Sequence, residues 1–172
     1  MSAASSIIEI TKMITNNDKM VIGKVSSCVE DIKKYFEDHR EQYSDRGIDD
    51  FEEEEESVLC WLGMVDILDE NGYVCERDYK DEKEDFVYFV NGLKGMSDYD
   101  LCIEEEWLDE DEGINEWAEI LDDKWAAGGC CLASIDIDGD CFVLFPAKVS
   151  EMETFNDYAE TAGYRIDYAA NM

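Results

Sequence analysis

The chain reads as an α+β domain: a small antiparallel sheet built around a hairpin at residues 130–145 and packed by several helices. Two observations predict this class. Two apolar runs, Cys130 to Ile137 and Cys141 to Phe145, flank an Asp138-Gly139 pair, a strong short-range hairpin signal. Elsewhere the apolar residues recur with helical rather than strand spacing. With no internal repeat and no linker-like stretch, the 172 residues are expected to form one domain.

The elements follow in order. Ser5 to Ile14 carries a loose stripe of Ile7, Ile8, Ile10 and Ile14, broken by Asn16-Asn17-Asp18. Residues 1–20 are therefore expected to be a mobile N-terminal arm. Lys24 to Tyr43 reads as one amphipathic helix through Val25, Cys28, Val29, Ile32, Phe36, His39 and Tyr43. Asp50 is expected to cap the next helix, with Glu52 to Glu56 in its first turn, where the helix dipole favours anions. From Val58 to Leu68 that helix is apolar on nearly every face, the mark of a buried, central element, and Asn71-Gly72 ends it.

Tyr73 to Glu76 reads as a short strand. Asp78 is the expected N-cap of a helix running to about Leu93, with Phe86, Phe89, Val90 and Leu93 as its buried stripe and Gly95 closing it. Ser97 to Gly113 reads as an irregular acidic surface loop. Ile114 to Trp125 is a helix that buries Trp117, Ile120, Leu121 and Trp125. Cys141 to Phe145 is apolar at every position, so both faces of that strand should be covered. Pro146, the sole proline, is expected to end it. A helix from Val149 to Ala162, capped by Gly163, and a strand from Tyr164 to Tyr168 complete the chain.

Charge sets the first functional boundary. With 45 acidic and 14 basic residues the formal net charge is −31. Such a surface repels phosphate, so nucleic acid and anionic membranes are poor partners, while a basic protein or a metal cation is attracted. The aromatic and β-branched content is too high for a disordered chain. Seven cysteines, an odd number without a Cys-x-x-Cys pair, and a start at Met1 to Ala4 lacking the features of a signal peptide lead to an expected cytoplasmic location. No apolar run approaches a membrane span.

Four features could carry chemistry. Asp136, Asp138 and Asp140 are the best carboxylate cluster and superficially resemble a calcium loop. The sixth position, which needs Gly, is Cys141, and the twelfth, which needs Glu, is Ala147. Turn formation accounts for Asp138-Gly139 without a metal, and no cofactor is expected. His39, the single histidine, excludes any multi-His metal site and reads as a residue at the edge of the core. Adjacent strand residues point to opposite faces, so Cys130 and Cys131 read as small buried hydrophobes rather than a redox pair. The stretch from Glu104 to Glu112 is the candidate partner-binding site. Glu105, Glu106, Asp109 and Asp111 would steer a basic surface and Trp107 would anchor it; the competing reading has Trp107 pinned to its own core.

Tyr73 to Gly95 (YVCERDYKDEKEDFVYFVNGLKG) and Ala133 to Pro146 (ASIDIDGDCFVLFP), followed by a helix and Gly163, resemble a family of bacterial proteins catalogued as a domain of unknown function. The resemblance runs from about Ser57 to the C-terminus and implies a fold but no catalytic residues. In type, as a small, acidic, Trp-containing α+β domain, the chain is also similar to the SUKH superfamily of bacterial toxin-immunity proteins. The expected function is thus a non-enzymatic protein-binding module, immunity-like, with a basic partner. The alternative is a carboxylate-based metal-binding protein or enzyme using Asp136, Asp138 and Asp140.

Overall fold

The computed structural model describes residues 1–172. Nine α-helices and four strands follow the order α1 (Ala3–Ile14), α2 (Lys19–Glu30), α3 (Ile32–Asp38), α4 (Arg40–Asp45), α5 (Glu56–Glu70), β1 (Cys75–Asp78), α6 (Lys83–Asn91), α7 (Lys94–Asp98), α8 (Ile114–Trp125), β2 (Cys130–Ile135), β3 (Cys141–Lys148), α9 (Met152–Ala162) and β4 (Ile166–Tyr168). The strands form one antiparallel sheet in the order β1-β3-β2-β4. The architecture is α+β, with the hairpin β2–β3 at the centre of the sheet.

Alternation along the two central strands sorts side chains onto two faces. Cys131, Ala133, Ile135, Val143, Phe145 and Ala147 enter a core of 30 buried residues built with α1, α2, α5 and α9. Cys130, Leu132, Phe142 and Leu144 enter a second core of 18 buried residues beneath α6, α8 and the segment between them. Both faces of β3 are covered, as its unbroken apolar run requires. The vicinal cysteines diverge, Cys131 into the larger core and Cys130 into the smaller. All seven cysteines are free; five are buried, Cys141 is half-buried and Cys102 exposed.

Several expectations are corrected. Residues 1–20 do not form an arm: Ile7 and Ile10 are buried in the larger core, and α1 packs on α9, α2 and α5. The expected single helix Lys24 to Tyr43 is three. It begins earlier because Asp18 accepts the N–H groups of Met20 and Val21 at 3.0 and 3.3 Å. It breaks at Asp31, whose carboxylate caps α3 through the Lys34 N–H at 3.1 Å. A second break falls at His39. Asp50 does not cap α5. Phe51 packs against Phe36 with ring centroids 5.7 Å apart and draws Phe51–Glu53 into a short 3-10 turn, so only Glu56 lies in the first turn of α5.

Asp78 likewise does not cap α6. It closes a local turn by accepting the Lys80 N–H at 2.8 Å, and Asp81 is taken by Arg77 at 2.6 and 2.7 Å, so the helix starts at Lys83. Phe89 faces outward under the Arg77 guanidinium, which lies 4.0 Å from the ring centroid. Gly95 does not end that helix: it lies inside α7, where a Cβ would sit 2.7 Å from Pro146 Cγ. Pro146 itself does not end β3, which runs on to Lys148. It lies opposite Leu132, whose N–H turns instead to the Asp122 carboxylate at 2.8 Å, and β1 has already ended opposite Leu144. No ladder bond is therefore lost at the proline. Helix α8 has the expected bounds, and α9 ends at Gly163 in the left-handed conformation (φ 90°).

Candidate functional site

The acidic segment between α7 and α8 is an ordered ridge rather than a loose loop. Ile103 and Leu108 are buried, and Glu105–Trp107 form a 3-10 turn. Side chains of the flanking helices clamp its backbone. Trp117 Nε1–H donates to Asp109 O at 2.7 Å, Trp125 Nε1–H to Cys102 O at 3.1 Å, and Lys83 Nζ to Leu108 O at 3.3 Å. Asn91 holds Ile103 from both sides, accepting its N–H at 2.9 Å and donating to its carbonyl at 3.1 Å. Glu104, Glu105, Glu106, Asp109, Glu110, Asp111 and Glu112 are all exposed on this frame.

Trp107 is turned toward home. Its ring is half-buried against the smaller core, and Lys124 Nζ lies 5.1 Å from its centroid. Helix α6 packs on the ridge through Lys83 and Asn91; its exposed rings, Tyr88 at 74% and Phe89 at 42% exposure, lie on other sides of that helix, Phe89 against Arg77. The expected stripe placed Phe89 inside with Phe86, Val90 and Leu93; the buried face of α6 runs instead through Phe86, Val87 and Val90, which turns Phe89 outward against Arg77.

Asp136, Asp138 and Asp140 do not converge. The backbone of Asp136 bonds Arg165 O at 2.9 Å and accepts Trp61 Nε1–H at 2.8 Å, and its carboxylate accepts the Asp138 N–H at 2.8 Å. Asp138 and Asp140 face solvent, and no group of three or more His, Cys, Asp or Glu side chains is placed to hold a metal ion. His39 bonds Tyr35 O through Nδ1 at 2.8 Å and stacks on the Tyr35 ring at 3.9 Å, a packing role at the α3–α4 junction.

Sequence reasoning missed one charged cluster. Arg46, just past α4, reaches Asp66 of α5 at 2.6 Å and Glu76 of β1 at 2.7 Å. Asp69 adds a third carboxylate, which accepts the Glu76 N–H on the outer edge of β1. Burial opposes the Arg46 charge, but the hydrogen bonds to Asp66 and Glu76 outweigh it and hold the guanidinium above its ordinary value. Burial raises Asp66 and Asp69 despite their hydrogen bonds. Asp66 and Glu76 thus share one guanidinium, with Asp69 beside them. No spacing rule signals this, because its members lie on three elements distant in sequence.

The structure defines an acidic α+β fold whose sheet separates two cores and in which no three His, Cys, Asp or Glu side chains are placed to hold a metal ion. Residues 6–169 match the family model described as "Domain of unknown function (DUF6630)", and the chain belongs to that family. No curated protein and no solved structure matches it. No helix is long and apolar enough to cross a membrane.

Proposed function

We propose that this domain is a non-enzymatic protein-binding module that receives a basic protein on the ridge from Glu104 to Glu112. The observation that carries this reading is the ridge itself: seven exposed carboxylates on a backbone already clamped by Trp117, Trp125, Lys83 and Asn91. An ordered ridge loses less conformational freedom on binding than a free loop would. The net charge of −31 steers a cationic partner toward it. Inhibition of a cationic toxin in a reducing cell interior is the concrete form of this reading.

The test is affinity capture from the native lysate at low and moderate salt, using the intact chain and a variant carrying Glu105→Gln, Glu106→Gln, Asp109→Asn and Asp111→Asn. One basic protein should be recovered in near-stoichiometric amount by the intact chain, released as salt rises, and lost by the variant. Equal recovery by both chains would remove the ridge from the interface.

A further inference from the structure

We propose that the cavity between α5, the end of α4 and the β2–β3 loop is a binding site for a linear aliphatic polyamine, a proposal that goes beyond the ridge and does not depend on it. The cavity has a volume of about 480 Å³, within the usual range for small-molecule sites. Half of its lining is apolar: Val58 and Leu62 of α5, Ile137 of the hairpin loop, and Trp61 stacked on Tyr164 with centroids 4.4 Å apart and planes within 8° are among it. The Trp61 Nε1–H bond to Asp136 O at 2.8 Å fixes the hairpin loop as one wall.

The lining charges choose the ligand. Arg46 contributes the one positive group, and it is already committed to Asp66 and Glu76. Asp45, Glu54 and Asp138 also line the cavity, are exposed, and enter no ion pair. They come from three separate segments and do not converge as metal ligands would. A point cation could not gather all three and would leave the apolar wall uncovered. A chain of methylenes carrying several ammonium groups meets both demands. Its carbons lie against Val58, Leu62, Ile137 and Tyr164, while its charges reach separate carboxylates.

Spermidine is the probe, titrated into the full chain at about 0.15 M salt, where attraction at distances beyond about 8 Å is screened. Backbone and indole N–H resonances report the location. Saturable shifts should concentrate at the Trp61 indole and at Ile137 and Gly139, and magnesium at matched ionic strength should not reproduce them. The variant Glu54→Gln/Asp138→Asn, altered at exposed positions, should bind about tenfold more weakly or worse, a loss of about 1.4 kcal/mol, with its thermal midpoint unchanged. Tyr164→Ala, which removes apolar wall and no charge, should also weaken binding. Shifts spread over Glu104 to Glu112, equal shifts with magnesium, unchanged affinity in the charge variant, or no binding would each overturn the assignment.

Discussion

The two faces of the sheet are closed in different ways. The larger core is roofed by regular helices: α1, α2, α5 and α9 lay apolar stripes on it, and their backbone groups are satisfied within each helix. The smaller core is roofed partly by α6 and α8 and partly by an irregular segment whose backbone is only partly satisfied by its own turns. There the donors are side chains, namely the two indoles of Trp117 and Trp125, the Lys83 ammonium and the Asn91 amide. A helical roof is held by burial and tolerates loss of single polar contacts. A clamped roof depends on a few hydrogen bonds, each of which fixes several exposed residues. The second design lets a strongly acidic surface stay ordered without a helix beneath each carboxylate.

Three substitutions probe this contrast, in falling order of effect. Arg46→Met removes the ion-pair clamp that joins the end of α4 to α5 and β1, leaving Asp66 and Glu76 without their cation. Breaking a buried ion pair on one side costs about 3 kcal/mol, read by chemical denaturation as a lower midpoint. A loss below about 1 kcal/mol would mean that water replaces the guanidinium and that the cluster is not a structural link.

Trp117→Phe tests the clamped roof. The ring remains in the smaller core while the donor to Asp109 O is lost, at a cost of about 1–2 kcal/mol. Hydrogen exchange should quicken in residues 104–112 well before α1 or α5 responds. A uniform rise across the chain would show that the ridge and the helical core open together.

Asp122→Asn should have the smallest effect, and the opposite sign. Burial pushes the Asp122 carboxyl up to about 6, with further upward pressure from Asp123 and Glu119, while the hydrogen bond from Leu132 N–H partly offsets it. Because the folded value lies above the unfolded one, stability from this group is fully present below the ordinary carboxylate range and is lost as pH rises through about 6. An asparagine can still accept from Leu132 but carries no charge. The variant should therefore be more stable than the parent at pH 7–8 by about 1 kcal/mol, after allowance for partial solvent screening, with the advantage fading below about pH 4. A variant destabilised at every pH would show that the carboxylate geometry, not its charge, matters to the end of β2.

Much of the frame was legible in the chain because its signals are local. The hairpin around Asp138-Gly139, the all-round apolar α5, the bounds of α8 and the left-handed end of α9 at Gly163 each follow from residues a few positions apart. The divergence of Cys130 and Cys131 follows from strand alternation alone. The misread places are those where a side chain had two possible partners. Asp31 could face solvent along one long helix or cap a new one; Asp81 could begin α6 or bind Arg77; Trp107 could reach outward or pack inward beneath Lys124.

The candidate sites divide along the same line. The sequence by itself determined the fold class, the acidity, and the position of the acidic segment between two helices, since composition and periodicity are properties of the chain. Only the tertiary structure decided that the segment is ordered, that Asp136, Asp138 and Asp140 diverge, that Arg46 binds Asp66 and Glu76, and that Trp61, Tyr164 and Ile137 line one cavity. The reason is physical: the Arg46 cluster and the cavity wall depend on distances between groups far apart in the chain, Arg46 to Asp66 and Trp61 to Tyr164, and such distances are fixed only when the two faces of the sheet are filled.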